Sequence, residues 1–336
     1  MSLAISTVIP TYNRAHLVPR ALESALAQTT ARDEVIVVDD GSSDGTEGAL
    51  AAYRDRIRYV HTPNRGAGAA RNRGIREATC DLVAFLDSDD EWMPGKLELA
   101  RNWLAARSDV LFVFSEFAVT DREGRARRRH LIHWHQDTRG WDEILGPATP
   151  YSAHAALPPG VADFPVHVGS LYEHEFARGY VLTSSLVARR VESGDALRFA
   201  EDVPTFEDLE CFGRLSRQGP GACFDCETAW QHGHAGERLS ELDSLRRASA
   251  NLVVLERVWG ADPAFLAAHG ADYRDVIENL RLSRTRDLIV LGRRGEAREE
   301  LARMRRPPLF LRALTRIPAP IVTGLLGLRR RLRATG

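Results

Sequence analysis

Two acidic clusters lie within the first 90 residues, and each follows directly on a short apolar run. One is Asp39–Asp40, which precedes a Gly/Ser-rich turn, and the other is Asp87–Asp90. Unpaired carboxylates that lie side by side repel each other, so such a cluster favours a bound cation. Two aspartates one residue apart suit a hard ion, Mg²⁺ or Mn²⁺, that is held jointly with a phosphorylated ligand. Turns with a helix cap use the same residue types, and this is the alternative for each cluster.

Apolar runs alternate with helical patterns through the first 115 residues. The runs are rich in β-branched or aromatic residues and are typical of strands buried on both faces: Leu3–Ile9, Glu34–Val38, Ile57–His61, Leu82–Leu86 and Val110–Phe114. The helical segments are Ala15–Ala27, Thr46–Tyr53, Ala67–Glu77 and Pro94–Ala106, with Pro94 in the first turn of the last one. This alternation predicts a doubly wound, Rossmann-like, mostly parallel α/β sheet, whose ligands bind beyond the carboxyl ends of the strands.

The rest of the chain gives a weaker pattern. Residues 121–170 allow no assignment of elements, whereas we expect a strand at Tyr180–Val187, a helix at Phe206–Ser216 and a strand at Ala222–Ala229. From Leu239 to about Arg306 the pattern is helical. We therefore expect a helical extension after the sheet.

Composition and charge exclude several classes of protein. The chain has 336 residues, 44% of them hydrophobic, and a formal net charge of −1, which is typical of a globular protein with no overall attraction to nucleic acid. Four cysteines are too few for a disulfide scaffold of this length. No apolar run reaches the roughly 18 to 20 residues that span a bilayer, and the N-terminus lacks the basic region of a signal peptide. We expect a cytoplasmic protein.

Four segments resemble, in order and in spacing, the successive signatures of family 2 glycosyltransferases. They are Thr7–Arg14, Val37–Thr46, Asn64–Gly66 with Ala70–Gly74, and Phe85–Asp90. Two later segments, Phe206–Glu210 and His232–His234, resemble the acidic helix on the acceptor side of that family and the His-containing segment after its last strand.

The resemblance implies a fold, a reaction and a division into domains. It implies a GT-A fold over residues 1–240, in which residues 1–115 bind the nucleotide sugar and residues 116–240 bind the acceptor, followed by a helical region at 241–336. The implied reaction is an inverting, metal-dependent transfer from a nucleotide-diphosphate sugar, a UDP-sugar first, to an acceptor hydroxyl. The divalent metal would be Mn²⁺ or Mg²⁺. The chain resembles cell-surface polysaccharide glycosyltransferases of this family, which implies a role in cell-surface glycan or glycolipid synthesis.

The resemblance also assigns roles to individual residues. Eight of them would bind the donor: Pro10, Tyr12, Arg14, Asp39, Asp40, Arg71, Asp87 and Ser88. Tyr12 would stack on the nucleobase, Asp39 would accept a hydrogen bond from it, Arg71 would face the base or the phosphates, and Asp87 would hold the ribose.

The metal and catalytic roles fall on a second set. Asp89, Asp87 and His234 would hold the metal, with His232 as the alternative histidine. Asp208 would be the general base, since inverting transfer needs a carboxylate that takes the proton of the attacking hydroxyl. Glu207 would place the acceptor. The alternative for this acidic pair is a favourable interaction with the helix dipole.

Two other functions are compatible with parts of the sequence. A sugar nucleotidylyltransferase shares the nucleotide-binding sheet but usually has a Gly-rich basic loop after the first strand, where this chain has Pro10–Arg14. A catalytically inactive scaffold at a membrane is expected to lack metal or base carboxylates, yet Asp87, Asp89 and Asp208 are all present.

Two smaller motifs leave alternatives open. Cys223 and Cys226 form a single C-x-x-C pair, for which small core residues are favoured over a zinc site. His130, His133 and His135 beside Trp134 could line an acceptor pocket or belong to a surface loop.

The last 36 residues are strongly basic. They contain nine arginines and no acidic residue, with Arg312 and Arg316 spaced four apart among apolar residues. An apolar stretch, Ile321–Leu328, precedes the basic run Arg329–Arg333. This basic amphipathic pattern is typical of a segment that lies on an anionic membrane surface, which would suit a lipid-linked acceptor and a peripheral location at the inner face of the plasma membrane. The alternative is a helix that packs on its own domain or on a second subunit of a homodimer.

Overall fold

A computed structural model describes residues 3–121, 123–134, 137–233 and 243–317. The chain forms two compact units. The first, here called the sheet unit, comprises Met1–Asp202 and Glu207–Gly236, and the second, the helical unit, comprises Val203–Phe206 and Glu237–Gly336. The predicted domain boundary at residue 240 lies outside the described residues and stays a prediction.

A mixed sheet forms the centre of the sheet unit. Eleven strands are present among the described residues: β1 (Ile5–Thr11), β2 (Glu34–Asp39), β3 (Arg58–His61), β4 (Leu82–Phe85), β5 (Asp90–Trp92), β6 (Phe112–Thr120), β7 (Ala126–Arg127), β8 (Thr149–Pro150), β9 (Pro165–Gly169), β10 (Val187–Arg189) and β11 (Gly221–His232). Their order is β3-β2-β1-β4-β10-β6-β11-β9-β8, with β5 paired to β11 and β7 to β6.

The first four long strands are parallel, as the sequence predicts. β1 pairs in parallel with both β2 and β4, and β2 pairs in parallel with β3. Beyond β4 the sheet becomes mixed, because β10 runs antiparallel to both β4 and β6, while β6 and β11 are parallel. The carboxyl ends of β1, β2 and β4 therefore meet at one edge of the sheet.

Nine helices of the sheet unit pack around this sheet in the described residues: α1 (Val18–Leu26), α2 (Thr46–Ala49), α3 (Ala67–Glu77), α4 (Lys96–Ala106), α5 (His130–Trp134), α6 (Trp141–Ile144), α7 (Tyr172–Arg178), α8 (Arg190–Ser193) and α9 (Glu207–Gln218). Helix α3 lies unusually close to β1. A Cβ atom on Gly74 would lie 2.2 Å from Val8 Cγ1, so only glycine allows this approach.

The structure corrects three expectations. Ile57–His61 is not buried on both faces, because β3 is the edge strand and Arg58 and His61 are exposed. Pro94 is not in the first turn of its helix, because α4 begins at Lys96 after Gly95 adopts a left-handed conformation, with φ at +88°. Tyr180–Val187 is not a strand either.

Polar residues explain why the segment Tyr180–Val187 does not form a strand. The segment contains a 3₁₀ turn at Thr183–Ser185, and the strand β10 begins only at Val187. The hydroxyl groups of Thr183 and Ser184 bond to side chains or backbone of distant loops instead of supporting a ladder.

The helical unit contains the helices that the sequence predicts. They are α10 (Ser244–Val258), α11 (Pro263–Val290), α12 (Arg294–Arg303) and α13 (Leu309–Leu314). Asp262 caps α11 by accepting hydrogen bonds from the amides of Ala264 and Phe265, and Pro263 occupies the first turn. A small core includes Leu288, Leu301 and Leu311. In the part of the chain that the structure describes, every helix is too short or too polar to cross a membrane.

Candidate functional site

The loop Asp87–Asp90 follows β4 at the carboxyl edge of the sheet. The side chains of Asp87 and Asp89 are partly exposed, whereas Ser88 and Asp90 are buried. Ser184 holds this loop at two points: its hydroxyl donates to Asp90 Oδ2 at 2.6 Å and accepts from the amide of Asp87 at 3.1 Å. Asp90 is thus a structural anchor, while Asp87 and Asp89 are presented at the surface of the site.

The turn Thr183–Ser185, here called the hydroxyl turn, connects this loop with other parts of the site. Thr183 Oγ1 lies 3.5 Å from Asp208 Oδ2, at the limit of a hydrogen bond. The ammonium group of Lys96 donates to the carbonyl oxygen of Ser185 at 2.7 Å. Lys96 is the only lysine of the chain, and its burial lowers its pKa to about 7. Sequence reasoning missed this turn, although three hydroxyl residues inside an apolar run were an available signal.

Arg71 joins the two acidic regions of the site. Arg71 is a residue of α3 and is almost fully buried, with 5% of its surface exposed. Nη2 donates to Asp87 Oδ1 at 2.6 Å, and Nη1 donates to Glu207 Oε1 at 2.7 Å. Because a buried charge is stabilised only by close partners, this arrangement holds the start of α9 against the end of β4. The structure thus directs Arg71 at two carboxylates, whereas the sequence assigns it to the base or the phosphates.

Asp208 lies next to Glu207 in the first turn of α9, in a different environment. It is half-buried, and the amide of Leu209 donates to its Oδ1 at 2.8 Å. Burial and the neighbouring carboxylate of Glu207 raise the pKa of Asp208, and the positive charge of Arg71 opposes this rise in part. A carboxylate with a raised pKa binds a proton more readily, which suits a general base.

The two carboxylates of the acidic pair after β2 accept hydrogen bonds from the protein itself. Asp39 is buried and accepts from the hydroxyl of Tyr59 at 2.6 Å and from the amide of Ser42 at 2.8 Å. Asp40 accepts from two further backbone amides, of Arg65 at 2.9 Å and of residue 66 at 2.7 Å. Burial raises the pKa of Asp40. These bonds hold the loop of residues 64–66 beside the end of β2.

The remaining predicted donor residues lie at the end of β1 or in the loop after it. Pro10 is a buried residue of β1, and the side chain of Tyr12 is 48% exposed. The amide of Arg14 donates to the hydroxyl of Thr46 at 3.2 Å, which joins this loop to the start of α2. The exposed ring of Tyr12 is therefore available for stacking on a flat ligand.

Comparison with known families decides which family this is. The model of "Glycosyl transferase family 2" matches residues 6–175, which is half of the chain and includes β1 to β4 with their loops. The chain belongs to glycosyl transferase family 2. This confirms the resemblance that the sequence showed, and the family consists of transferase enzymes.

One relative of this family 2 chain has a name that states its donor, its acceptor and the linkage formed. Over 117 residues the chain is 33% identical to the UDP-Glc:alpha-D-GlcNAc-diphosphoundecaprenol beta-1,3-glucosyltransferase WfgD of Escherichia coli. The matched residues cover 34% of this chain and 46% of that protein. The match spans only about a fifth, 21% and 18%, of the length of two uncharacterized glycosyltransferases of Rickettsia.

Solved structures share the fold of this family 2 chain. Residues 1–349 of TarS from S. aureus, in complex with UDP-GlcNAc, align with a TM-score of 0.57 and 16% identity over 89% of this chain and 88% of that one. The mannosyltransferase PcManGT from Pyrobaculum calidifontis, in complex with GDP-Man and Mn²⁺, aligns with a TM-score of 0.53 and 18% identity over 90% and 75%. Both confirm the predicted GT-A-type α/β fold.

The family 2 site offers few protein ligands to a metal ion. Within the ranges that the structure describes, three His, Cys, Asp or Glu side chains do not converge at any point in a metal-binding arrangement. Mg²⁺ and Mn²⁺ need only one or two protein carboxylates when phosphate and water oxygens complete the shell. Asp89 and Asp87 therefore fit a cation that is bound jointly with a diphosphate, and they do not form an all-protein cage.

Of the two histidines predicted for the metal site, His232 lies within the described residues. His234 lies outside them. His232 lies within 2.9 Å of Glu91 Oε2 through Nε2 and within 3.1 Å of Thr120 Oγ1 through Nδ1. Arg20 belongs to the same group, because its Nη2 donates to the backbone oxygen of Asp89 at 2.8 Å. His232 is thus held close to the Asp89 loop by the β5 residue Glu91.

The smaller motifs of the sequence have the surroundings of structural residues. Cys223 is buried in β11, and burial raises the pKa of the Cys226 thiol to about 12, so neither is an activated thiol. The ring of His130 packs edge-on against Phe117 at 5.5 Å, which favours a structural role. His135 and the side chain of His133 lie outside the described residues.

Proposed function

We propose that this protein transfers a sugar, with inversion, from a nucleotide-diphosphate sugar to a hydroxyl group of a cell-surface glycan or glycolipid. The different environments of the two adjacent carboxylates, Glu207 and Asp208, carry the proposal. Arg71 forms an ion pair with Glu207 and leaves Asp208 as the neighbouring carboxylate with a raised pKa. One acid is held in place and the other is suited to accept a proton.

Each acid has a separate role in this reaction. Asp208 takes the proton from the acceptor hydroxyl as its oxygen attacks the anomeric carbon of the donor. Glu207, fixed by Arg71 at 2.7 Å, accepts a hydrogen bond from the acceptor and orients it. A single displacement inverts the anomeric carbon and requires no protein nucleophile, in contrast to retaining transfer through a covalent intermediate.

The loop after β4 holds the donor. Asp87 and Asp89 are the residues that would hold a divalent metal together with the diphosphate, and such a metal would stabilise the negative charge of the leaving nucleoside diphosphate. The exposed ring of Tyr12 stacks on the nucleobase. A UDP-sugar is the first donor to test, since WfgD carries UDP-Glc in its name and TarS was solved with UDP-GlcNAc.

A donor panel tests this function. The full chain is incubated with Mn²⁺ and with UDP-Glc, UDP-GlcNAc or GDP-Man, and release of nucleoside diphosphate is measured with and without an α-GlcNAc-diphosphate ester as acceptor. We expect release with one donor, its abolition by EDTA, and a product with inverted anomeric configuration in the NMR spectrum. Pyrophosphate release from a nucleoside triphosphate and a sugar 1-phosphate would indicate a nucleotidylyltransferase. No turnover and no donor binding would indicate a scaffold.

The basic C-terminal segment supports a second part of the proposal, contact with an anionic membrane. In α13, Leu309 and Phe310 are 78% and 54% exposed, next to Arg312. Apolar side chains among arginines insert at the lipid interface, and each arginine near an anionic surface contributes about 1 kcal/mol. Leu311 is buried in the core of the helical unit, so α13 is anchored to its own unit on one face. The expected apolar stretch Ile321–Leu328 and the basic run after it lie outside the described residues.

Liposome co-sedimentation tests the membrane contact. We expect the full chain to bind vesicles with anionic lipids and to bind more weakly as salt rises, because charges are screened over about 8 to 10 Å. The double variant Leu309→Ser/Phe310→Ser should bind more weakly. The matched control, Val290→Ser/Leu291→Ser, alters two other exposed apolar residues of the helical unit and should bind normally. Equal loss in both variants would show that the effect is not local to α13.

A further inference from the structure

Lys96 is a buried basic residue that the proposed reaction does not use. It is the only lysine among the 45 Lys and Arg residues of the chain. Both acceptors that the structure describes for its amino group are uncharged: the carbonyl oxygen of Ser185 at 2.7 Å and the hydroxyl of Thr228 at 3.3 Å. A buried positive charge with uncharged partners is costly, so the residue type at this position needs a physical reason.

The place of Lys96 in its helix adds to this cost. Lys96 is the first residue of α4, and the peptide dipoles of a helix disfavour a positive charge at its amino end. Burial lowers the pKa of Lys96 to about 7, so near neutral pH its amino group can also lie uncharged and still donate a hydrogen bond. The guanidinium of an arginine stays charged at this pH. An arginine-rich chain therefore has a lysine here because the position requires an amine as donor.

The hydroxyl turn is held through its backbone by two such donors. The indole Nε1 of Trp92 donates to the carbonyl oxygen of Ser184 at 2.7 Å, and Lys96 donates to that of Ser185. The amino nitrogen of Lys96 lies 5.4 Å from the centroid of the Trp92 ring, a distance at which a cation and an aromatic ring attract each other. Two consecutive carbonyl groups of the turn are thus fixed by neighbouring side chains.

The same turn orders the loop Asp87–Asp90 through a side chain. The hydroxyl of Ser184 donates to Asp90 Oδ2 and accepts from the amide of Asp87. A side chain as short as serine reaches two such partners only if its own backbone is held in place. The bond from Lys96 to the adjacent carbonyl group therefore bears on the geometry of the whole loop.

We infer that Lys96 is a positioning residue for donor binding: it holds the hydroxyl turn in the place from which Ser184 orders the loop Asp87–Asp90. The inference rests on the proposed function and deepens it, because it gives part of the binding of metal and diphosphate to a side chain that touches neither. The carboxylates that would hold the metal, Asp87 and Asp89, belong to this loop.

One variant and one control separate this role from general packing. Lys96→Met keeps an unbranched side chain of similar length but has no donor for the carbonyl group of Ser185. Arg101→Met removes the other buried cation of α4, which donates to the carbonyl oxygen of Leu3 at 3.0 Å and pairs with Asp33 at 2.6 Å. We expect the melting temperature to fall in both variants, because each leaves a buried acceptor without its donor.

The affinity for UDP in the presence of Mn²⁺ is the first measured quantity. Calorimetric titration should give a dissociation constant about fivefold to tenfold higher in Lys96→Met than in the unaltered chain, and one within about twofold of it in Arg101→Met. Trp92→Phe keeps an aromatic ring but removes the second donor to the turn, so it should resemble Lys96→Met, and it replaces that variant if it does not fold. Unchanged affinity in the turn variants, or an equal loss in the control, would overturn the inference.

The double variant Lys96→Met/Ser184→Ala tests whether the two residues act on the same loop. Effects of residues in one hydrogen-bond network are not additive in free energy. We therefore expect Lys96→Met to change the affinity by less than about twofold when residue 184 is already alanine. Fold-changes that multiply would show that Lys96 acts independently of Ser184, against the inference.

Hydrogen exchange tests the positioning without any ligand. In Lys96→Met the amides of residues 87–90 should exchange faster than in the unaltered chain, whereas those of residues 39–42 should keep their rates, and Arg101→Met should favour neither loop. If the unaltered chain binds no UDP with Mn²⁺, the donor of the proposed function fails, and exchange alone decides the role of Lys96. Equal exchange of residues 87–90 in Lys96→Met and in the unaltered chain would then overturn it.

Discussion

The carboxyl ends of β2 and β4 have the same kind of sequence, a buried strand followed by adjacent aspartates, but they use these residues differently. After β2, Asp39 and Asp40 both accept hydrogen bonds from the surrounding loops. After β4, Asp90 accepts a hydrogen bond from Ser184 and Asp87 accepts one from Arg71, and the side chain of Asp89 is partly exposed. The two carboxylates after β2 are buried, whereas the loop after β4 has two partly exposed carboxylates, Asp87 and Asp89.

The start of α9 repeats the second arrangement. Glu207 is held by Arg71, and Asp208 is half-buried with a raised pKa. In both places a structural acid lies beside an acid that is suited to chemistry. The environment of each carboxylate, and not its residue type, therefore separates an anchor from a functional group.

The largest effect should come from Asp208. Asp208→Asn keeps the size of the side chain but cannot take a proton, so sugar transfer should fall by about 10² to 10⁴ while donor affinity stays nearly constant. Steady-state kinetics and calorimetric titration of the donor measure the two quantities. Near-normal turnover would assign the base elsewhere. Glu210 is then a poor candidate, because it is buried and paired with Arg214.

The two strand ends can be compared directly with a matched pair of substitutions. Asp89→Asn should remove most of the metal-dependent donor affinity with little change in melting temperature, because its side chain is partly exposed. Asp40→Asn should lower the free energy of unfolding by about 1–3 kcal/mol, since one of two backbone amides loses its acceptor. Titration of a UDP-sugar with and without EDTA, together with urea unfolding, measures both. The reverse pattern would contradict the distinction between the two loops.

A smaller effect should follow from loosening the loop after β4. Ser184→Ala removes the hydroxyl that bonds to Asp90 and Asp87. We expect the Mn²⁺ concentration for half-maximal activity to rise about tenfold, with a smaller change in kcat at saturating metal. Ser185→Ala is the control, because its hydroxyl donates locally, to the carbonyl of Leu182 directly before the hydroxyl turn. Equal effects of both variants would indicate a general loss of packing.

The smallest predicted effect concerns pH. In the proposed mechanism the deprotonated form of Asp208 is the active one. The rate should therefore fall as pH decreases through the raised pKa of Asp208, at higher pH than for an ordinary aspartate. Glu207→Gln removes a negative charge that raises this pKa. The fall in rate should therefore move to lower pH, even though the maximal rate also drops. A pH–rate profile of kcat at saturating donor checks the sign, and a move to higher pH would contradict it.

Much of the first half was predictable from the sequence. The strands β1, β2 and β4 and the helix α3 follow from local patterns of apolar residues, and α3 lies at the predicted residues Ala67–Glu77. The same holds for the family, since its signatures are short continuous segments. The roles of individual site residues and the need for a metal stay predictions.

The sequence by itself therefore determined the family, the parallel first half of the sheet and the positions of the acids at strand and helix ends. Only the tertiary structure decided which acids are anchors. Arg71 and Glu207 are 136 residues apart in sequence, and Ser184 and Asp90 are 94 apart. Such pairs depend on the folded chain, because local periodicity carries no information about partners at this separation. For the same reason the sequence predicts a strand where the hydroxyl turn lies, because the side chains of this turn bond to distant loops.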